Sequence, residues 1–174
     1  MGHISQSPGA ADGPGPLHSG RHRDRVYGAL GKETTLTPSK APLRFLGTWR
    51  ITKVETSRPD LPHPTTGVTT FTQEADHVHY EAETTWSDGT RSKVTAALRT
   101  DGSWCPVIGS LIADTVSFQR VDDSSFSVNM KKQGLDVGTN HTTISATGRT
   151  MTGSWEVKAP DGTKVTWKMS SERQ

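Results

Sequence analysis

His77 to Gly89 reads HVHYEAETTWSDG, and this stretch shows the pattern that decides the fold. Apolar or small side chains stand at every second position, with polar ones between them. The first set is Val78, Tyr80, Ala82, Thr84 and Trp86. A period of two is typical of a β-strand, whose side chains point alternately to two faces. The Asp88-Gly89 pair then tolerates the positive φ that a tight hairpin needs. The stretch therefore predicts a half-buried strand followed by a turn.

The same alternation continues along the chain, interrupted by turn-forming residues. These are Thr100-Asp101-Gly102, Asp122-Asp123-Ser124-Ser125, Ala146-Thr147-Gly148 and Pro160-Asp161-Gly162. Their spacing, roughly 8–12 residues between turns, predicts about nine short strands. Sequential hairpins favour an up-and-down order, and closure of the sheet removes its exposed edges. We therefore predict an all-β fold, a single antiparallel up-and-down β-barrel, with a β-sandwich as the second choice.

The Trp and Phe side chains are confined to the chain after residue 44. All five Trp and all four Phe lie there, whereas the first 43 residues hold five of the ten Pro and seven of the 17 Gly. A segment so poor in apolar side chains cannot offset the entropy of ordering it. We predict a disordered tail over residues 1–43 and one domain over residues 44–174.

Charge and composition narrow the choice of partner. The tail holds five basic and three acidic residues, which leaves 15 of each in the domain. A neutral domain without a basic stripe argues against nucleic acid as the partner. No apolar run approaches the roughly 18 residues of a membrane span. Without the apolar core of a signal peptide, the chain as given is expected to be cytoplasmic, with export possible if a leader was lost. The single cysteine, Cys105, excludes an intrachain disulfide.

The first predicted strand carries a family resemblance. Gly47-Thr48-Trp49 resembles the G-x-W signature on the first strand of calycins, which include lipocalins, fatty-acid-binding proteins and avidins. The resemblance implies that Trp49 plugs one end of the barrel and that a basic residue of the last strand, Lys168 or Arg173, packs over it. It also implies that the interior binds a small molecule. The opening Phe45-Leu46-Gly47-Thr48-Trp49 is similar to that of small bacterial proteins as well.

Two histidines are the sharpest candidates for chemistry. His77 and His79 stand two apart on one strand, so they point the same way, as zinc ligands in β-sheet enzymes do. His141 would be a third ligand, and Glu81 or Glu83 a fourth ligand or a general base. On a half-buried strand, however, the face opposite Val78 and Trp86 is the solvent face, and this interpretation is favoured.

Other candidates lie on the face that the alternation turns inward. Arg120 follows Val116 and Phe118 in phase, so it would meet a ligand carboxylate inside the barrel or pair at the strand end. An aromatic and methionine set would line a ligand cavity or fill the interior. The set is Tyr80, Trp86, Phe118, Phe126, Met130, Trp155 and Trp167.

Three hypotheses remain open for the function. The first is a binding module for a small apolar or amphipathic molecule, without a cofactor. The second is a small hydrolase or zinc-dependent enzyme that uses His77, His79 or His141. The third is a structural or interaction domain with a filled interior.

Overall fold

The computed structural model describes residues 43–159 and 161–174, which form ten β-strands. The strands are β1 (Gly47–Thr56), β2 (Pro64–Glu74), β3 (His77–Trp86), β4 (Arg91–Leu98), β5 (Asp101–Ile108), β6 (Thr115–Arg120), β7 (Ser125–Lys132), β8 (Leu135–Ile144), β9 (Thr150–Lys158) and β10 (Lys164–Arg173). Each strand pairs antiparallel with the next, and β1 also pairs with β10, so the sheet closes. The predicted all-β up-and-down barrel is confirmed. The predicted tail lies outside the described residues, apart from Leu43.

The strand count is one higher than the sequence predicted. The hairpin between β7 and β8 turns at Gln133 and Gly134, whose φ angles are +53° and +79°. Gln133 is the one non-glycine residue of the described chain with positive φ. The turn lacks the Asp-Gly pair that marks Asp88-Gly89, Asp101-Gly102 and Asp161-Gly162, and the sequence pattern did not reveal it.

The side-chain alternation of β3 follows the prediction. Val78 is fully buried, and Ala82 and Trp86 are also buried, whereas Glu83 on the other face is exposed. The apolar set of the opening stretch therefore faces the interior, and His77, His79, Glu81 and Glu83 lie on the outer face.

The strand order assigns each hairpin to one of two barrel ends. Gly47, where β1 begins, pairs with Phe71 near the end of β2, so the β2–β3 turn lies at the same end as the start of β1. We call this the Trp49 end. The opposite end carries the β3–β4, β5–β6 and β9–β10 connections, and we call it the Trp86 end.

Candidate functional site

The Trp49 end of the barrel is filled with aromatic rings. The Trp49 side chain is fully buried, and its Nε1–H donates to the carbonyl oxygen of Phe45 at 2.8 Å. The Phe45 ring packs edge-on against three other phenyl rings, with centroids 5.3 to 5.5 Å apart. These rings belong to Phe71, Phe118 and Phe126. The segment that precedes β1 thus closes this end.

Arg173, near the end of β10, holds the plug in place. Its guanidinium carbon lies 4.3 Å from the centroid of the Trp49 ring. Its nitrogens donate to the carbonyl oxygens of Arg44 and Leu46, both at 2.6 Å, and of Gly148 at 2.8 Å. Gly47 has a φ of +115°, and a Cβ there would lie 2.6 Å from Arg173 Nη1. The glycine of the G-x-W motif therefore meets both a backbone and a steric requirement.

The basic residue that the resemblance implied is Arg173, which pairs with Trp49, whereas Lys168 pairs with Glu55 near the other end of β1. The barrel is calycin-like.

Known proteins that resemble this chain do so at low sequence identity. No protein-family model and no curated protein matches the sequence. Among the solved structures that resemble the chain, three each align with 75% of it. The zebrafish ileal bile acid-binding protein in complex with cholic acid is 10% identical, aligned over 99% of its length with a TM-score of 0.45. EF1p2_mFAP2b bound to DFHBI is 11% identical over 94%, with a TM-score of 0.46. The S-type phycobiliprotein lyase of Guillardia theta is 14% identical over 88%, with a TM-score of 0.48.

The barrel interior contains a cavity of about 170 Å³. Its wall includes six members of the predicted aromatic and methionine set, namely Tyr80, Trp86, Phe118, Phe126, Met130 and Trp155. Trp167 of the same aromatic set also lines it, and its ring meets the Trp86 ring edge-on at 5.8 Å. Side chains thus fill the interior at the Trp49 end, and a cavity remains where the aromatic set lines the wall.

Arg120, the residue predicted to meet a ligand carboxylate, is not in the cavity wall. Its position at the last residue of β6 has the inward phase, but its long side chain turns to the adjacent hairpin. There its guanidinium bonds to the Asp123 carboxylate and, through Nε, to the carbonyl oxygen of Asp122 at 3.2 Å. Of the two alternatives that the sequence left open for Arg120, the structure shows pairing at the strand end.

A small polar area interrupts the apolar wall on β8 and β9. The side chains of Asn140 and Thr142 are buried there, and Thr142 Oγ1 donates to Asn140 Oδ1 at 2.8 Å. Gly153 pairs with Thr142 across the ladder and has no side chain to cover these groups. A Cβ at Gly153 would lie 3.0 Å from Thr142 Oγ1 and 3.2 Å from both Asn140 Nδ2 and Trp155 Nε1. All four residues line the cavity, so polar atoms converge beside Gly153.

The buried indoles differ in their hydrogen bonding. Trp49 Nε1 donates to Phe45 and Trp86 Nε1 donates to Ser92 Oγ at 3.0 Å. Trp167 Nε1 is buried and has no hydrogen-bond partner within residues 43–159 and 161–174. A buried donor without an acceptor costs about 1–3 kcal/mol. Trp167 thus lines the cavity and carries a buried donor that the described residues leave without an acceptor.

Tyr80 supplies the one titratable side chain of the cavity wall within the described residues. Desolvation raises the pKa of its phenol to about 12, although the hydrogen bond with Thr69 favours ionisation. The phenol therefore stays neutral at ordinary pH, and no charged side chain from the described residues lines the cavity.

The connection between β5 and β6 forms part of the wall. Ser110, Leu111, Ile112 and Ala113 of this loop line the cavity. Ser110 Oγ accepts the backbone N–H groups of Ile112 and Ala113, both at 3.2 Å. Next to it, β4 and β5 pair only at Thr95–Ile108 and Ala96–Val107. On this side, the β5–β6 connection forms part of the cavity wall together with the sheet.

The predicted metal ligands do not come together. His77 and His79 lie on the outer face of β3 and His141 on β8, which is five strands away in either direction around the barrel. Among the described residues, no group of three His, Cys, Asp or Glu side chains could hold a metal ion. His77 instead contacts the carboxylates of Glu74 and Asp76 at 3.0 and 3.1 Å.

The predicted general bases are also engaged elsewhere. Lys93 Nζ lies 2.9 Å from Glu81 and 3.3 Å from Glu83 on the outer surface. The hydrogen bond and charge of Lys93 hold the pKa of the Glu81 carboxyl below its ordinary value. A lowered pKa makes Glu81 a weaker base, the opposite of what a general base at neutral pH needs.

The sequence pattern did not identify the polar part of the wall. Strand β8 carries polar residues on both faces, so its alternation does not show that Asn140 and Thr142 point inward. The register with β7 shows it, because Asn140 pairs with Val128 and Thr142 with Phe126, two inward residues. That register depends on the turn at Gln133 and Gly134 and on the register shift between Lys131 and Met130, neither of which carries a strong sequence signal.

Proposed function

We propose that this protein binds one compact, neutral, largely apolar molecule in the barrel cavity. The observation that carries the proposal is an interior cavity whose wall is mainly aromatic and aliphatic and holds no charged side chain from the described residues. The protein's role would be that of a carrier, sensor or sequestering module.

The cavity volume limits the size of the ligand. An apolar cavity of about 150 Å³ is enough to bind benzene, and drug-sized ligands occupy roughly 300–1,000 Å³. At about 170 Å³, this cavity suits a single substituted ring or a short branched chain. A larger molecule would have to displace wall side chains, of which Met130, Met151 and Met169 are the most adaptable.

The cavity wall also limits the charge of the ligand. Transfer of a carboxylate into an apolar site without a charged partner is strongly unfavourable. Arg120, the cation that the sequence offered for this role, is bonded to Asp123 and is not in the wall. A neutral ligand therefore fits better than a fatty-acid-like anion.

Binding fits this site better than the alternative of catalysis. The cavity wall contains serine, threonine and tyrosine hydroxyls, but no His, Asp, Glu, Lys or Cys of the described residues to activate them. The alternative site of His77, His79 and His141 is spread over opposite sides of the barrel. The described residues also contain no helix long and apolar enough to cross a membrane.

The proposal is tested by calorimetric titration with two probes of one shape and different charge, α-methylstyrene and benzoate. The wild-type protein should bind α-methylstyrene with a Kd on the order of 0.1 mM. Benzoate should bind at least about tenfold more weakly because its carboxylate would be desolvated.

Two variants of β4 locate the binding. Ala96 is buried in the cavity wall, and Ala97 is exposed on the outer face of the same strand. Ala96→Leu should take up cavity space and weaken α-methylstyrene at least about tenfold, whereas Ala97→Leu should leave binding unchanged. Equal binding of the two probes, no binding by the wild type, or equal loss in both variants would contradict the proposal. No binding would favour the filled-interior hypothesis.

A further inference from the structure

The unused indole donor of Trp167 gives the proposed ligand a second property besides its size and charge. Resting on the proposed function, we infer that the cavity selects neutral molecules with a carbonyl-type oxygen and that Trp167 Nε1 donates a hydrogen bond to this oxygen. The class comprises compact ketones, aldehydes, esters and amides with an apolar body.

The contrast between neighbouring indoles supports this assignment. Trp86 and Trp167 pack edge-on at 5.8 Å and both line the cavity. Trp86 Nε1 is bonded to Ser92, so the protein provides an acceptor for it. The protein provides none within the described residues for Trp167, although both indoles are more than nine-tenths buried. Native structures seldom leave a buried donor unpaired, so such a group needs an acceptor from another source.

The register places further polar groups in the same row. Asn140 on β8 pairs with Trp155 on β9, and Trp155 pairs with Trp167 on β10, so their side chains lie side by side on the inner face. The Asn140 amide donates one N–H to the carbonyl oxygen of Ser154 at 3.3 Å, which leaves its second N–H available. This row thus holds a second N–H, besides Trp167 Nε1, that a ligand acceptor complements.

A molecule that lacks the oxygen would leave the donor unpaired. Such a molecule leaves the cost of the unpaired indole N–H unchanged from the free protein, whereas a carbonyl ligand removes that cost and is favoured by the same amount. The charge-free wall excludes the alternative of a carboxylate oxygen as the acceptor. A neutral carbonyl satisfies both conditions.

The test uses two probes that differ in one atom, acetophenone and α-methylstyrene, in which a CH₂ group replaces the carbonyl oxygen. Their Kd values would be measured by calorimetry on the wild type, Trp167→Phe and the matched variant Trp86→Phe. We expect Trp167→Phe to weaken acetophenone about fivefold relative to α-methylstyrene. Trp86→Phe should leave this ratio within about twofold of the wild type, because its donor is already bonded to Ser92.

A second readout does not depend on the folding of a variant. In a ¹⁵N-correlated spectrum of the wild type, the indole N–H peak of Trp167 should shift downfield with acetophenone and not with α-methylstyrene. An unchanged ratio of Kd values in Trp167→Phe, together with an unmoved Trp167 peak, would overturn the inference and leave the proposed function standing. Failure of both probes to bind the wild type would overturn the proposed function and this inference with it.

Discussion

Removal of the Arg173 guanidinium should release the plug at the Trp49 end. Arg173 donates three hydrogen bonds, to Arg44, Leu46 and Gly148, and stacks on the Trp49 ring. The hydrogen bonds are solvent-exposed, so each is taken as about 0.5 kcal/mol, below the usual range for charged groups. The cation–π contact adds about 0.5–1 kcal/mol. Arg173→Ala should therefore lower the free energy of unfolding by about 2 kcal/mol.

Urea unfolding followed by tryptophan fluorescence measures this change. With a denaturant slope of about 1.5–2 kcal/mol per molar urea, the midpoint should fall by about 1 M. Arg173→Lys should lose about half as much, because a single ammonium cannot bond to three carbonyls in a fork. Arg50→Ala is the matched control, since Arg50 makes one exposed hydrogen bond, to Gln174. A midpoint for Arg173→Ala equal to that of Arg50→Ala would refute the reasoning.

Two further predictions concern Gly47 and Tyr80. Gly47→Ala should lower the free energy of unfolding by about 2–3 kcal/mol, because Ala is strained at a φ of +115° and its Cβ would lie 2.6 Å from Arg173 Nη1. A urea midpoint within error of the wild type would show that this glycine is dispensable. The pKa of Tyr80 is raised to about 12 in the folded state, above the value of about 10 for an unfolded tyrosine. The contribution of the neutral phenol to the free energy of unfolding is therefore complete below about pH 10 and is lost as the pH rises toward 12. Urea unfolding at about pH 9 and about pH 11 should show the wild type losing roughly 1 kcal/mol more than Tyr80→Phe, and equal losses would mean that the phenol is not desolvated.

Much of the barrel could be predicted from local patterns. The alternation of Val78 and Trp86 with Glu83 correctly predicted which residues of β3 face inward and which face outward. The Asp-Gly turns and the Gly47-Thr48-Trp49 motif indicated the hairpins and the closed end. These signals succeed because strand faces and tight turns depend on neighbouring residues, whose physical requirements are visible in a short stretch of chain.

The site was less predictable because it depends on contacts between distant residues. The side-chain alternation of β6 placed Arg120 on the inner face, but Asp123 holds its side chain at the barrel end. The residue types of His77 and His141 are compatible with one metal site, but the strand order separates them by five strands. The unpaired state of Trp167 Nε1 follows from packing, since Trp86 finds an acceptor in Ser92 and Trp167 finds none in the described chain. No local pattern distinguishes these two indoles.

The central claim is that the barrel cavity takes a compact neutral molecule, and a crystal soaked with iodobenzene tests it most directly. The iodine atom gives an anomalous signal that locates the probe without ambiguity. The account predicts a well-occupied peak inside the barrel, against Trp86, Met130 and Trp167 in the cavity wall. Iodine peaks on the outer surface alone, with the interior side chains unmoved, would contradict it.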